Sequence, residues 1–269
     1  MSVVLQISDP HFGTERAAVV QALEALARQQ RPDLLVLSGD ITQRALPQEF
    51  GLARAFVDRL GAPVLAIPGN HDIPLFDLWA RLRHPYARHQ AAFGDELEPR
   101  FSAADLLVLC VNTTRWYRHQ NGEVSGAQIE RVASRLAGAG AAQLRVVVVH
   151  PPIAVPHARD LPDRLRGHAT ALRRWAAAGA DLVMGGHIHL PYVMALPGLA
   201  RPMWAVQAGT AVSSRVRDGL PNSVNLLRCG PDAPAGHCSI ERWDCPAPHA
   251  AFVRSAVTHI MPGGPADAG

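Results

Sequence analysis

Side chains that can bind metal ions or transfer protons stand directly after five short apolar segments of this chain. Each segment has the length and composition of a buried strand, and the core of a protein needs no polar cluster at such a place. The five clusters contain Asp9 and His11, Asp40, Asn70 with His71 and Asp72, His150, and His187 with His189. The repetition of one pattern predicts that the clusters form a single site.

The residue types in these clusters favour a transition-metal site. Carboxylate and imidazole groups accommodate manganese, iron or zinc, and the lack of cysteine argues against a closed structural zinc site. Seven of these side chains are potential ligands, which is too many for one catalytic ion but suits two ions that share a carboxylate. The seven are Asp9, His11, Asp40, Asn70, His150, His187 and His189. Two ions roughly 3.5–4 Å apart can stabilise the attacking and leaving oxygens of a phosphoryl transfer.

Each cluster alone has a simpler explanation. Asp9 with His11, or Asp40 after a glycine, is usual in a turn or a cap, and His150 before two prolines can hydrogen-bond to a loop. The segments 69–72 and 185–189 are more specific, because glycines there allow tight turns beside several polar groups. The presence of all five clusters in this order favours the metal site over the separate explanations.

The elements that would position the clusters alternate between strands and helices. Apolar periodicity predicts strands at 3–7, 34–37 and 64–68, with helices at 15–30 and 47–60 between them. This order is typical of right-handed crossovers and a largely parallel sheet. Ligands of such sheets bind beyond the carboxyl ends of the strands, where all five clusters lie.

The remainder of the chain continues the pattern and then becomes rich in strands. A capping box of Ser125 and Gln128 predicts a helix to about residue 137. The sequence predicts strands at 106–111, 144–149, 181–184, 203–207, 223–227 and 238–243, and a helix at 169–178. We expect one domain over 1–245, in which residues 73–120 cover the site and 73–105 form helical excursions over it. The Pro-, Ala- and Gly-rich segment 246–269 is predicted to be a loosely held tail.

Composition excludes several functions. All 26 basic residues are arginine, so a P-loop lysine, a Schiff-base lysine and a kinase lysine are absent, and a net charge of +3 is small for a nucleic-acid-binding protein. Cys229 and Cys238 flank a turn and would face each other across a hairpin, where we expect reduced thiols. We expect a cytoplasmic protein without a membrane span, since no apolar run approaches about 20 residues.

Taken together, the clusters resemble the motifs of a known family, the calcineurin-like metallophosphoesterases. The matching motifs are Asp9-x-His11, Gly39-Asp40, Gly69-Asn70-His71-Asp72, His150 and Gly186-His187-x-His189, which cover about two-thirds of the chain. The resemblance implies a four-layer α/β/β/α sandwich with a dimetal site at the strand ends. The strands between 203 and 243 would complete its second sheet.

The resemblance also implies a role for each motif residue. The first ion would be bound by Asp9, His11 and His189, the second by Asn70, His150 and His187, with Asp40 bridging them. The ions would be divalent or trivalent manganese, iron or zinc. A metal-bound hydroxide would attack phosphorus in line while His71, oriented by Asp72, assists the leaving group.

Departures from the motifs indicate the branch of the family. Protein phosphatases carry an Arg-Gly pair after a longer Gly-Asp motif, whereas Asp40 precedes Ile-Thr-Gln-Arg-Ala, and position 43 is Gln where purple acid phosphatases have a tyrosine ligand. The chain is most similar to small bacterial phosphodiesterases, which include class III cyclic-nucleotide phosphodiesterases and glycerophosphodiesterases. Pro10 and the lack of a second histidine beside His150 are departures that remove no ligand.

The leading hypothesis is therefore a dimetal phosphodiesterase for small diesters, with the need to protonate an alkoxide favouring diesters. The alternatives are a nuclease, a phosphomonoesterase and a metal-dependent scaffold without turnover. A nuclease would need a basic groove, for which the candidates are Arg81, Arg83, Arg88, Arg115 and Arg118. Weaker candidates for substrate contact are Asn70, Arg115, Trp116 and Arg215. A homodimer is compatible with the sequence.

Overall fold

Two six-stranded mixed sheets form the centre of the fold. The computed structural model describes residues 2–217, 219–230, 238–247, 251–261 and 263. The strands are β1 Ser2–Ile7, β2 Leu34–Leu37, β3 Val64–Ala66, β4 Arg100–Ser102, β5 Leu106–Cys110, β6 Leu144–Val148, β7 Leu182–Gly185, β8 Tyr192–Ala195, β9 Trp204–Gln207, β10 Asn222–Cys229, β11 Cys238–Cys245 and β12 Val253–Ile260. The α-helices are α1 Ala17–Gln30, α2 Pro47–Leu60, α3 Leu78–Arg83, α4 Ala87–Phe93, α5 Gly126–Ala137 and α6 His168–Ala177.

The first sheet has the order β12-β11-β10-β1-β2-β3, and the second has the order β4-β5-β6-β7-β9-β8. Strands β1, β2 and β3 are parallel, as are β5, β6, β7 and β9, while β10, β11 and β12 of the first sheet and β4 and β8 of the second pair antiparallel. All five polar clusters follow parallel strands: β1, β2 and β3 in the first sheet, and β6 and β7 in the second. Both sheets therefore deliver their clusters to the same edge of the sandwich.

Side chains alternate along the strands, so each sheet packs against the other sheet on its inner face and against helices on its outer face. Leu5 packs with Leu23 of α1 and Phe56 of α2, whereas its neighbour Val4 packs with Val108 of the second sheet. On the far side of the second sheet, β5, β6, β7 and β9 pack against α5 and α6. Each fully buried aliphatic side chain contributes roughly 1.5–3 kcal/mol. The four-layer sandwich is confirmed.

The late strands β9, β10 and β11 were predicted to complete the second sheet. This prediction is wrong for β10 and β11, which belong to the first sheet. Only β9 joins the second sheet, whereas β10 pairs antiparallel with β1, with Leu226 opposite Leu5, and β11 follows β10. The physical reason is that β1 has an otherwise open edge. An unpaired edge in a buried position would leave backbone groups without hydrogen-bond partners.

The segment after residue 245 is not simply a loose tail. Residues 253–260 form β12, which pairs with β11 over its length, so the sheet extends beyond the predicted domain boundary. The β-branched residues Val253, Val257, Thr258 and Ile260 favour a strand locally, but the Pro, Ala and Gly content of the surrounding segment obscured them. Residues 264–269 lie outside the described residues.

Two further parts of the chain differ from prediction. The irregular segment 73–105 contains the expected short helices α3 and α4 but ends in an edge strand, β4, and β8 forms the opposite edge of the same sheet.

Cys229 and Cys238 are buried free thiols beside the paired residues Arg228 and Ser239 of the hairpin. A hydrogen bond with Cys229, together with burial, raises the pKa of Cys238 well above its usual value.

Within the ranges given above, no helix combines the length and the apolar character that a membrane crossing requires.

Candidate metal centre

The predicted site residues meet at the carboxyl ends of five parallel strands. Asp9 and His11 follow β1, Asp40 follows β2, Asn70 and His71 lie in a 3₁₀ turn after β3, His150 follows β6, and His187 and His189 follow β7. Asp9, His11, Asp40 and His150 are buried, and the others are largely so. Residues up to 180 positions apart in sequence thus share one pocket.

Their potential ligand atoms form two compact sets. Asp9, His11 and His189 have ligand atoms within 4.8 Å of one another, and so do Asp40, His150 and His187. A third set of His11, Asp40 and His71 overlaps with both. Each of these sets has the size and the donor types to hold one ion.

Asp40 belongs to the second compact set and also reaches the first. Its Oδ1 atom is 3.2 Å from Nε2 of His150, and its Oδ2 atom is 3.8 Å from Nε2 of His11. On the other side of the first set, Nε2 of His189 lies 3.3 Å from Oδ1 of Asp9. The two oxygens of Asp40 therefore point to different sets, which is the arrangement a bridging carboxylate needs.

Three buried polar atoms of the motif residues make no hydrogen bond in the described part of the chain. They are Oδ1 of Asn70, Nε2 of His150 and Nδ1 of His187. Buried polar atoms are normally paired, and leaving one unpaired costs about 1–3 kcal/mol. The Asn70 oxygen carries a lone pair that can bind a cation, and each of the two imidazole nitrogens offers one when it is unprotonated, so the residues present fit a metal ion.

The backbone of the site is strained. Asp9, His11, Asp40, His187 and His189 have φ between 44° and 73°, in the left-handed region that residues with a side chain rarely adopt. Each such residue costs of order 1–3 kcal/mol and persists only where surrounding contacts enforce it. One such contact is the His187 amide, which donates to Oδ2 of Asp9 at 2.9 Å. The strain aims these side chains into one pocket.

Two glycines make the close approach of the loops possible. A Cβ atom on Gly69 would overlap the backbone nitrogen and Oδ1 of Asp40, and a Cβ atom on Gly186 would overlap the Ser8 hydroxyl and the Asp9 carboxylate. Both glycines belong to the sequence motifs. Their role is to let the loops after β3 and β7 touch the acidic residues of β1 and β2.

Electrostatics keep the two carboxylates ionised. Burial opposes ionisation of Asp9, but the His189 imidazole outweighs it and lowers the pKa of Asp9 to about 2. Burial likewise opposes ionisation of Asp40, and His150 brings the pKa of Asp40 well below its usual value. Two carboxylates held ionised in a buried pocket require positive charge beside them.

Burial favours the neutral form of two imidazoles. It lowers the pKa of His11 to about 3, and together with the charge of His150 it lowers the pKa of His187 to about 4. The neutral imidazole is the form that binds a metal ion. In His150, burial is outweighed by Asp40, which raises the pKa to about 9, so a cation there competes with a proton.

His71 is oriented by a backbone carbonyl. Its Nδ1 atom lies 2.8 Å from the carbonyl oxygen of Gln43, and its amide donates to Oδ1 of Asp40 at 2.8 Å. Nδ1 carries the proton that it donates to this carbonyl, so Nε2 is left for chemistry. Nε2 faces the pocket, 3.2 Å from Nη1 of Arg215.

The prediction that Asp72 orients His71 is wrong. The Asp72 carboxylate is fully buried and accepts four hydrogen bonds of 2.8–3.0 Å, from the Ile41 amide, the Thr42 amide and hydroxyl, and the Gly69 amide. Burial, with the charge of Asp40, raises the pKa of Asp72 to about 6 in spite of these bonds. Asp72 therefore joins the loops after β2 and β3 and acts on the site through them.

The three arginine and tryptophan candidates for substrate contact have different positions. Nη1 of Arg215 lies over the pocket, 3.3 Å from Nδ1 of His11. Arg115 instead donates to Oε1 of Gln128 at 2.7 Å, at the start of α5, and Trp116 packs edge-on against Tyr117. Neither Arg115 nor Trp116 lines the pocket. Only Arg215 is brought to the site.

The pocket is a cavity of about 520 Å³, and the part of its outer wall beyond residues 73–120 was not predicted. Besides the motif residues and Arg215, it is lined by His119, Gln120, Arg159, Asp160, Asp163 and Arg217. Nη2 of Arg217 lies 2.7 Å from Oδ1 of Asp160. Nothing local marks these residues, because they come from three separate loops; the only hint was the Pro- and Arg-containing loop after His150.

A family model supports what this geometry indicates. The model described as calcineurin-like phosphoesterase matches residues 2–191, a range that contains all five clusters. The chain belongs to the calcineurin-like phosphoesterase family. The predicted class of enzyme, a phosphoric ester hydrolase, is thereby confirmed.

Three curated relatives are similar over most of the chain. A probable cyclic nucleotide phosphodiesterase of Synechococcus is 26% identical over 71% of this chain and 74% of its own length. A cAMP/cGMP dual specificity phosphodiesterase of Mycobacterium tuberculosis is 27% identical over 86% of this chain and 76% of its own. A glycerophosphodiester phosphodiesterase of Enterobacter lignolyticus is 28% identical over 60% of each chain. The predicted small bacterial branch is confirmed.

Solved structures share the fold at low identity. A dimetal phosphatase from Danio rerio has a TM-score of 0.71 at 13% identity and covers 97% of this chain and 99% of its own. A purple acid phosphatase from yellow lupin has a TM-score of 0.70 at 11% identity, covering 97% of this chain and 53% of its own. These similarities establish the fold alone.

Proposed function

We propose that the protein is a dimetal phosphodiesterase that hydrolyses small phosphodiesters of the cyclic nucleotide or glycerophosphodiester type. The observation that carries the proposal is the position of Asp40, whose two oxygens face two separate sets of ligand atoms. The names of the relatives support the diester class. A cytoplasmic location and a homodimer remain predictions.

We assign Asp9, His11 and His189 to the first ion, Asn70, His150 and His187 to the second, and Asp40 to both. The unpaired Oδ1 of Asn70 supports its place in the second set. We assign His71 to neither ion, because each ion already has three ligands in addition to Asp40. The nitrogen and oxygen donors suit manganese, iron or zinc. When bound, two such ions supply an activated water and neutralise phosphate charge.

The chain itself supplies a proton and a positive charge. We assign to His71, in its imidazolium form, the transfer of the Nε2 proton to the leaving oxygen, because Nδ1–H stays on the Gln43 carbonyl and fixes the ring with Nε2 facing the cavity. An alkoxide leaves poorly without a proton, and general acid catalysis contributes about 10²–10⁴-fold. Arg215, above the ligand sets, would bind a non-bridging phosphate oxygen.

The described residues give no support to the nuclease alternative. Four of the five arginines that would form a basic groove already bind acceptors: Arg81 the carbonyl of Arg118, Arg88 the carboxylate of Asp77, and Arg115 and Arg118 that of Glu123. Engaged guanidinium groups contribute little to a phosphate-binding track. We therefore propose the small-diester activity alone.

The test is an Asp40→Ala variant of the purified, Mn²⁺-loaded protein. We expect kcat/KM for bis(p-nitrophenyl) phosphate to fall at least about a thousandfold, because several kcal/mol of transition-state stabilisation depend on the ions. Metal analysis should show less than two ions per chain. Asp58→Ala removes an exposed carboxylate on α2 and is the matched control. Undiminished turnover of Asp40→Ala would refute the site assignment.

A further inference from the structure

His71 stands between two cavities of different character. The larger cavity contains the ligand sets, and a smaller one of about 230 Å³ lies beside it. Asn70, His71 and His119 line both. A phosphodiester whose phosphate lies at the ligand sets can therefore extend past His71 into the smaller cavity.

The smaller cavity has an apolar wall. Ile73, Leu75 and Phe76, which directly follow the 3₁₀ turn of the site, supply this wall, and Gln43 and Arg44 complete the lining beside the three shared residues. The Phe76 side chain is 80% exposed. A large aromatic side chain at the wall of a concave site, rather than in the core, is available to a ligand.

The other side of the site is charged. Arg159, Asp160, Asp163 and Arg217 line the larger cavity but not the smaller one. The two alcohols of a diester would therefore meet different surroundings. A polar alcohol suits the charged wall, and an apolar or aromatic alcohol suits the wall that contains Phe76.

The place of His71 decides which alcohol leaves. A general acid must come within about 2.6–3.2 Å of the oxygen that it protonates, so the leaving alcohol lies on the His71 side of phosphorus. We infer that Ile73, Leu75 and Phe76 form a leaving-group subsite that selects phosphodiesters whose leaving alcohol is apolar or aromatic. The inference rests on the proposed phosphodiesterase function and names the part of the substrate that this wall selects.

Neighbouring side chains suggest a competing explanation that the experiment separates. Leu78, Trp79 and Leu82 of α3 are also exposed, so Phe76 would equally be covered if this face joined two copies of the chain. Leu78 is 72% exposed but does not line the smaller cavity. Leu78→Ala therefore tests the exposed face without changing the subsite.

The experiment measures which alcohol is released from benzyl 2-methoxyethyl phosphate by the Mn²⁺-loaded protein. The two alcohols have similar acidities, so the ratio of benzyl alcohol to methoxyethanol reports the orientation of the bound diester. We expect the wild type to release about tenfold more benzyl alcohol, the discrimination that an apolar pocket typically provides. Phe76→Ala should bring the ratio towards one, and Leu78→Ala should keep the wild-type ratio.

Four outcomes would contradict the inference. A wild-type ratio near one, or an unchanged ratio in Phe76→Ala, would overturn the subsite. An equal change in both variants, with a lower molar mass in solution, would assign the face to contacts between copies instead. If bis(p-nitrophenyl) phosphate is hydrolysed in these cases, the proposed function stands; if no diester is hydrolysed, both fail.

Discussion

Three histidines of the site are held in the same way but serve different purposes. The Nδ1 atoms of His71, His150 and His189 lie 2.6–2.8 Å from backbone carbonyl oxygens, so each ring presents Nε2 to the pocket. Nε2 of His150 and of His189 faces a carboxylate, whereas Nε2 of His71 faces Arg215. The nearest partner of Nε2 therefore differs between His71 and the two proposed ligands His150 and His189.

This difference leads to a prediction for His71→Ala. In a series of aryl methyl phosphates, we expect the variant to lose about 10²–10⁴-fold in kcat/KM for poor leaving groups and much less for p-nitrophenol, which leaves without a proton. A plot of log kcat/KM against the pKa of the leaving phenol should therefore be steeper for the variant.

The matched control is His259→Ala, since His259 is exposed on β12, in the outermost strand of the first sheet. Metal content provides a second measurement, because a proton donor that is not a ligand can be removed without loss of an ion. Parallel plots for variant and wild type, or the loss of an ion from His71→Ala, would count against the assignment.

At the scale of the elements, strand ends and loops position the site. The loop after β7 touches the loop after β1 at Gly186, where a side chain would overlap Ser8 and Asp9. Gly51 has no such role: it lies within α2, and a Cβ atom there would meet nothing within 4 Å. The same residue type is thus required in one element and costly in the other.

We predict opposite effects for alanine at these two glycines. Gly186→Ala should lower the metal content and the melting temperature, because the loop after β7 must move away from Asp9. Gly51→Ala should raise the free energy of unfolding by about 0.5–1 kcal/mol, since glycine in a helix costs that much relative to alanine. Denaturant unfolding and metal analysis of both variants check this. Full metal content in Gly186→Ala would show that the close approach is not needed.

At the scale of the whole molecule, one buried histidine makes stability depend on pH. His89 of α4 is fully buried between Phe50 and Phe93, and neither ring nitrogen has a hydrogen-bond partner among the described residues. Burial lowers its pKa from 6.5 to about 4. The unfolded chain therefore binds this proton more readily than the folded chain between pH 6.5 and 4.

The sign of the effect follows. The neutral folded form is fully favoured above pH 6.5, and the stability that depends on it is lost as the pH falls towards 4, by up to about 3 kcal/mol. As the pH falls from 6.5 to 4, we expect the unfolding free energy of His89→Leu to rise relative to that of the wild type. Urea unfolding at several pH values measures it, with His259→Leu as the exposed control. A difference that is constant with pH would contradict the role given to burial.

The local sequence was sufficient wherever neighbouring residues decide the outcome. Strand ends bearing Asp40, Asn70 or His187 were identifiable because the apolar run, the glycine and the polar group are adjacent in the chain. The capping box at Ser125 was identifiable for the same reason, and α5 begins at Gly126 as expected. Parallel order then followed, since strands that alternate with helices form right-handed crossovers.

Tertiary structure decided what depends on distant contacts. The pairing of β10 with β1 and of β12 with β11 is set by open sheet edges, which a local pattern does not contain. The partner of His71 proved to be the Gln43 carbonyl rather than the adjacent Asp72, because the loop after β2 folds over the turn after β3. The apolar cavity at Phe76 likewise forms only in the folded structure. The sequence by itself determined which polar groups stand at the strand ends, whereas packing between loops decided how each is oriented and what surrounds it.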